Sequence, residues 1–341
     1  MSQPIPNQLL AVGWSDRVQA LFATLVDLTL VPARVVGVDR GWCRVVTSTS
    51  ERSLPIPGLA VGDWVGLDDD QIGEVLPRWS VLGRLGPEGE RQALAVNIDL
   101  VLITAPADRL SLSRVEREMV MAWDSGARPV VVLTKLDLAP PGLADQLTTR
   151  LGTVDVVETS SLDGSGLDEL RVLLVPPLTA ALLGPSGAGK STLINALLGE
   201  NRLGVGAVRD EDGRGRHTTS SRQLVSLPSG GSLVDMPGLR SLGTDASEEA
   251  VAAAFPDIDE LAANCRFSDC AHEVEPGCAV TEAAAGGGLD PARLASYQKL
   301  LRETAFERWR TDPLAHAEEA RIWKARTKAN RKVYRDRDRD R

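Results

Sequence analysis

The chain has 341 residues, 43% of them hydrophobic and 25% charged, with a formal net charge of −9. That length supports two or three domains, and the hydrophobic share supports a sizeable core and excludes a disordered or fibrous protein. No apolar run reaches the roughly 18 residues of a membrane span, and "MSQPIPNQLLAVGWSDR" lacks the basic start and cleavage site of a signal peptide, so a cytoplasmic location is expected.

Near the N-terminus, "WSDRVQALFATLVDL" has apolar positions at helical spacing and is followed by Pro32, which predicts an amphipathic helical lead-in. From there to about residue 92 come short runs such as "ARVVGVD", "WCRVVTST", "DWVGLDD" and "QIGEVLP", punctuated by Gly, Pro and Asp. Four or five short strands with tight turns predict a small β-barrel, either a spacer or an oligonucleotide-binding (OB) fold. Between about 93 and 245, "IDLVLITA", "PVVVLTK", "TVDVVETS", "TAALLG" and "SLVDMPG" alternate with helical segments. Such runs read as a mostly parallel sheet covered on both faces, with its chemistry at the carboxyl ends of the strands. Beyond 245 the chain turns Ala- and Glu-rich and carries Cys265, Cys270, His272 and Cys278 close together. An odd cysteine cluster enclosing a histidine fits metal better than disulfides in a reducing compartment. "AAAGGG" at 283 to 288 is predicted to be a linker, and Asp290 before Pro291 the N-cap of a following helix. Charge is segregated: residues 321 to 341 hold ten Arg or Lys and three Asp, leaving −16 on the first 320 residues. Basic residues interleaved with Trp323 and Tyr334 suit phosphate contact and base stacking.

"TAALLGPSGAGKSTLINALLG" sets Gly184, Pro185, Ser186, Gly187, Ala188, Gly189, Lys190, Ser191 and Thr192 between an apolar strand and an apolar helix, the context of a phosphate loop. Its glycines let backbone N–H groups converge on the β-phosphate, Lys190 supplies charge to the β and γ oxygens, and Ser191 offers a hydroxyl to magnesium. The loop alone leaves ATPases and small-molecule kinases open. "VVVLTKLDL" ends in Thr134-Lys135-Leu136-Asp137, a variant of the Asn-Lys-x-Asp signature that reads guanine. The Asp137 carboxylate can accept both the N1–H and the 2-amino group of guanine, donors that adenine does not present, while Lys135 can lay its stem along the base. At the next strand end, Ser160-Ser161 resembles the Ser-Ala turn whose backbone donates to guanine O6. After the phosphate loop, Asp235-Met236-Pro237-Gly238 offers a magnesium-associated aspartate and, in Gly238, an amide for the γ-phosphate. "GVGAVRDEDGRGRHTTSSR" is a candidate switch loop, where Thr218 or Thr219 would complete the magnesium shell; Thr219 is carried with Ser191 and Asp235. The order is thus guanine, guanine, phosphate, switch, magnesium, where a GTPase ordinarily begins with phosphate. Joining old termini and opening a surface loop leaves such a site intact, so the order marks a circular permutation.

With these motifs the chain resembles the circularly permuted, ribosome small subunit-dependent GTPase A family over nearly its whole length. "CRFSDCAHEVEPGC" matches that family's Cys-x4-Cys-x-His-x5-Cys zinc signature at Cys265, Cys270, His272 and Cys278, and "GRHTT" at 215 to 219 matches its switch segment. The resemblance implies a multidomain α/β protein. Residues 1–92 would form a helix and an RNA-binding OB-fold barrel, 93–245 a permuted P-loop GTPase domain, and 246–341 an α-helical zinc-binding domain with the basic tail. It also implies a cytoplasmic hydrolase that converts GTP to GDP and phosphate with Mg2+, stimulated by the small ribosomal subunit during late maturation. The implied partners are that subunit with its rRNA, GTP and GDP, with no membrane and a monomer as the default. Three thiolates and one imidazole would hold one zinc ion in a closed, structural site.

Two departures matter. Ras-like proteins orient the attacking water with a Gln just after Asp-x-x-Gly, but Leu239 stands there, which makes His217 in the switch loop the candidate catalytic residue for that task. Thr134 replaces the signature's Asn and predicts weaker nucleotide binding, with guanine choice preserved by Asp137. The missing Gln also favours an alternative, a nucleotide-gated RNA-binding checkpoint protein with incidental turnover.

Overall fold

Ser15 accepts a hydrogen bond from the Val18 amide at 3.3 Å and so caps helix α2 (Asp16–Phe22), which follows a single turn, α1 (Asn7–Ala11). The structure, a computed structural model, describes residues 7–25, 27, 29–39, 41–55, 58–86, 90–152, 154–200, 222–236 and 246–311. Trp14 from the lead-in packs edge-on against Trp64 with ring centroids 5.5 Å apart, which fastens the N-terminus to the next unit.

That unit is antiparallel and has the strand order β3-β2-β1-β4-β5, where β1 is Val31–Asp39, β2 Trp42–Thr47, β3 Glu51–Leu54, β4 Trp64–Asp68 and β5 Gln71–Val75. These five strands pack around Ala33, Val35, Cys43, Val45, Leu54, Val65 and Leu67, and with the hairpin that follows, the stretch to about residue 92 holds seven strands rather than the four or five expected. A hairpin of β6 (Val81–Leu85) and β7 (Arg91–Val96) follows, tied back by a bridge between Val61 and Ala95.

The central sheet runs β10-β9-β8-β11-β13-β12. Its strands are β8 (Leu100–Pro106), β9 (Arg128–Thr134), β10 (Asp155–Glu158), β11 (Thr179–Leu183), β12 (Arg222–Ser226) and β13 (Ser232–Asp235), all parallel except β12. Helices α3 (Leu112–Asp124), α4 (Leu143–Leu151), α5 (Leu167–Leu173) and α6 (Lys190–Leu198) connect them. Burial on both faces explains the unbroken apolar runs. Leu100, Leu102, Val130, Val132, Ala180 and Leu182 pack with Leu167 and Leu170 of α5 and with Leu193 and Ile194 of α6. Their alternates Val101, Ile103, Val131, Leu133, Ala181 and Leu183 share a core with Val115 and Met119 of α3 and with Leu147 and Leu151 of α4. β11 lies between β8 and β13, where the order of strands reverses, so its carboxyl end opens on the crevice that α/β sheets use for ligands.

β1 joins the two sheets. Residues 31–34 pair with β4, the register slips between Val35 and Gly37, and Gly37 and Val38 then pair with Gln223 and Arg222 of β12. Arg34 is buried beside this junction, with its Nη1 2.8 Å from Thr179 Oγ1, its Nη2 3.0 Å from the Asn97 carbonyl and its guanidinium 5.0 Å over the Trp64 ring. Burial pulls its pKa down to about 10, against the charges of Asp99 and Asp63.

The C-terminal region is helical: α7 (Glu248–Ala254), α8 (Pro256–Ala262), α9 (Ala279–Ala285) and α10 (Pro291–Thr311). Asp290 Oδ1 accepts from the Ala292 amide at 2.8 Å, as the predicted cap should. The expected "AAAGGG" linker takes a different form. Ala283–Ala285 complete α9, and the glycine amides close its end through Gly286 N to Glu282 O at 2.9 Å and Gly288 N to Ala283 O at 2.8 Å. Packed side chains outweigh the apparent low complexity. Among the described residues no helix is long and apolar enough to cross a membrane.

Candidate active site

The phosphate loop leaves β11 at Gly184, whose φ of 137° only glycine adopts freely; a Cβ there would lie 2.0 Å from Thr104 Oγ1 on β8. The Thr104 hydroxyl in turn donates to the Leu183 carbonyl at 2.7 Å, so the neighbouring strand fixes the start of the loop. Gly187 and Gly189 also have positive φ, 71° and 90°, and Gly189 leads into α6 at Lys190, with Ser191 and Thr192 in its first turn. Lys190 lies across its own loop, its Nζ donating to the Gly184 and Pro185 carbonyls at 2.8 and 2.9 Å. Burial lowers its pKa, the Glu118 carboxylate opposes this, and Arg114 adds to the lowering. Asp235 ends β13 nearby, where burial raises its carboxyl and the Lys190 charge pulls it back.

β9 delivers the guanine signature to the same sheet end. Thr134 is buried and its hydroxyl donates to the Ala188 carbonyl of the phosphate loop at 2.7 Å, so threonine supplies a brace between the two motifs. Lys135 takes a left-handed conformation, φ 58°, and turns the chain so that Asp137 falls in a short 3-10 turn at Leu136–Leu138. The next loop is locked to this one through Thr159 N to Leu133 O at 2.7 Å and Leu136 N to Thr159 O at 3.2 Å. The Ser160 hydroxyl then donates to Asp137 Oδ1 at 3.3 Å, and Ser161 follows on the same turn. Thr134, Lys135, Asp137, Ser160, Ser161 and Gly184 to Thr192 therefore gather at one end of the sheet, with Asp235 beside them. His217, Thr218, Thr219, Gly238 and the basic tail lie outside the described residues.

Two residues of this site escaped the sequence reading. Asp108 Oδ2 pairs with Lys135 Nζ at 2.9 Å, and Arg109 Nη2 donates to the Ser186 carbonyl at 3.1 Å. Both sit in the turn Ala107–Arg109 after β8, and their position at the carboxyl end of a parallel strand was the available signal.

The second cluster lies in the C-terminal region. The donor atoms of Cys265, Cys270, His272 and Cys278 all fall within 4.8 Å of one another. Cys265 Sγ is 3.9 Å from Cys278 Sγ and 3.6 Å from His272 Nδ1, and His272 Nδ1 is 3.4 Å from Cys278 Sγ. A tetrahedron with metal–sulfur bonds near 2.3 Å and metal–nitrogen bonds near 2.0 Å has edges of about 3.8 and 3.5 Å. Cys265, His272 and Cys278 match those edges, and with Cys270 within 4.8 Å of them the four could hold a metal ion. The Thr281 amide points at Cys278 Sγ from 3.5 Å, which favours a thiolate there.

A phosphate loop on the central strand, a Thr-Lys-x-Asp turn that precedes it in the chain, and both motifs at one sheet end define a circularly permuted P-loop GTPase. The comparisons agree: the family model described as RsgA GTPase matches residues 75–245. A small ribosomal subunit biogenesis GTPase RsgA of Streptomyces coelicolor is 43% identical, covering 94% of this chain and 93% of that protein. One of the same name from Opitutus terrae is 41% identical, covering 93% and 95%. Among solved structures, YjeQ from Thermotoga maritima superposes with a TM-score of 0.62 at 25% identity, over 80% of this chain and 98% of that one. YloQ, described as a circularly permuted GTPase, shares the fold with a TM-score of 0.59. The chain belongs to the RsgA GTPase family and is a GTP hydrolase.

Proposed function

We propose that this chain hydrolyses GTP to GDP and phosphate on the small ribosomal subunit during its late maturation, and that the subunit stimulates turnover. The observation that carries this reading is the meeting of Asp137, Ser160 and the phosphate loop in a chain 43% identical to a small ribosomal subunit biogenesis GTPase. Asp137 accepts from guanine N1–H and the 2-amino group, the Ser160-Ser161 turn donates to O6, and Lys135 covers the base. Amides of Gly184 to Thr192 surround the phosphates, with the Gly238 amide at the γ-phosphate. The Ser191 and Thr219 hydroxyls and the Asp235 carboxylate are hard oxygen donors suited to magnesium, whose charge bound with GTP neutralises the β and γ oxygens. His217 positions the attacking water in place of the missing Gln.

Zinc is the ion we assign to Cys265, Cys270, His272 and Cys278, because three thiolates and an imidazole suit it and leave no open position for catalysis. Residues 1–92 and the basic tail form the RNA contacts, 93–245 the GTPase domain and 246–341 the zinc domain, in a monomeric cytoplasmic protein. Leu239 favours one second reading, a nucleotide-gated RNA-binding checkpoint protein with incidental turnover.

The test compares GTP and ATP turnover by the full chain with and without purified small subunits. GTP-specific turnover that rises with the subunits is expected; in the same assay Asp137→Asn abolishes guanine preference and His217→Ala abolishes stimulation. Turnover indifferent to the subunits would favour the checkpoint reading.

A further inference from the structure

We propose that Arg109 is a catalytic residue: its guanidinium contacts the phosphate oxygens of bound GTP and stabilises the charge that develops on them during hydrolysis. This inference rests on the nucleotide-site assignment above. Its basis is the place of Arg109 on the phosphate loop. β8 runs parallel to β11, the strand that leads into that loop, and the turn after β8 carries Arg109 across to it. Arg109 Nη2 lies 3.1 Å from the Ser186 carbonyl, and a Cβ placed on Gly187 would come within 2.5 Å of the same nitrogen. The guanidinium therefore rests on the third and fourth residues of the loop, whose amides face the phosphates in a nucleotide-bound P-loop.

The charge around the loop is already divided among partners. Lys135 is paired with Asp108 at 2.9 Å, and Arg114 with Glu118 at 2.9 Å. Lys190 bonds to two carbonyls of its own loop. Among the described residues no carboxylate lies within ion-pair distance of Arg109; its neighbour Asp108 bonds to Lys135 and feels the Arg109 charge at longer range. A guanidinium carries five N–H donors, so several remain for a ligand after the bond to Ser186. The Arg109 side chain is exposed.

The reaction needs such a group. As a water oxygen bonds to the γ-phosphorus, the bond from that phosphorus to the bridging oxygen breaks. Its electron pair passes to the β-phosphate of GDP, and the water protons leave with inorganic phosphate and solvent. An arginine contributed in cis or in trans stabilises this charge in other P-loop GTPases. Orienting the water, the task of the missing Gln, is separate from stabilising this charge, which is the task given to Arg109.

Arg109→Ala and Arg109→Lys in the full chain test the assignment, using GTP turnover at saturation, GDP affinity, and binding of GDP with aluminium fluoride as a transition-state mimic. Both variants are expected to lose at least about a hundredfold in kcat. GDP affinity should stay within about threefold, the melting temperature should be unchanged, and the aluminium fluoride complex should no longer form. A kcat within about threefold of wild type would overturn the role of Arg109 alone. So would equal loss of affinity for GDP, GTP and the mimic with kcat retained, which marks a brace for the loop. A wild-type chain that bound no guanine nucleotide would instead remove the site assignment and this role together.

Discussion

Thr134 stands where the guanine signature ordinarily has Asn, and its hydroxyl spans the gap to the Ala188 carbonyl in 2.7 Å. The amide of Asn is lost, but the contact between guanine motif and phosphate loop survives in shorter form, so the substitution costs less affinity than its chemistry alone implies. Replacing it with the near-isosteric Val removes the donor and leaves a carbonyl unpaired at a buried position. A net loss of about 1 kcal/mol follows, which is roughly a fivefold weaker GDP complex. Calorimetric titration of Thr134→Val with GDP measures it, and unchanged affinity would show that the brace carries no energy. Asp235 shows the opposite economy. Burial lifts its carboxyl above its ordinary value against the pull of Lys190, so the proton is favoured in the fold, its stabilisation is present at low pH, and it is lost as pH rises through the lifted value. At neutral pH the ionised group sits at some cost to the fold and is available to a cation.

Helix α3 links the GTPase sheet to the helices behind it through a buried ionic node. Glu116 is fully buried, its Oε1 accepting from Arg150 Nε at 3.2 Å on α4 and from Arg293 Nη1 at 3.2 Å on α10. Arg293 also holds Asp257 at 2.6 Å and lies 4.6 Å over the Phe255 ring, and Arg150 pairs with Asp290. Glu116 Oε2 has no hydrogen-bond partner among the described residues, so the node is not fully satisfied. Removing one member of a buried pair strands the other charge, and Arg293→Met should cost about 3 kcal/mol in urea unfolding. The double variant Glu116→Met with Arg293→Met should recover most of that loss; a double variant as unstable as the sum of both singles would refute the coupling. The node was illegible in "LSRVEREMVMAWD", where Glu116 looks like one more solvated charge, because its partners lie 34 and 177 residues away. The phosphate loop and the Cys/His cluster were legible for the converse reason: each packs its ligand-binding atoms into one short stretch of chain. Asp137 and Ser160 fall between these cases, short motifs whose meaning came from their order relative to Gly184.

At the scale of the whole molecule, one apolar core runs through all three regions, from Leu9 and Trp14 through Trp64 and Met119 to Phe255 and Leu294. Helices α7 and α10 are packed on α3, and α8 and α9 are joined by the segment 263–278 that carries Cys265, Cys270, His272 and Cys278. The zinc ion proposed for the four donors would supply on the order of 10 kcal/mol to such a segment. Stripping metal with a strong chelator should lower the melting temperature and remove near-ultraviolet signal from Tyr297, which packs 5.4 Å from Phe255. An unchanged melt after verified metal removal would show that the cluster is dispensable for folding. The seam at β1 has a further consequence. Its second half is the lateral neighbour of β12, the strand that begins at Arg222, immediately after the segment proposed to carry the switch. Through Gly37 with Gln223 and Val38 with Arg222 the barrel is bonded directly to the edge of the GTPase sheet, and Gln223 pairs in turn with Asp235 on β13, so one strand alone separates the barrel from the nucleotide site.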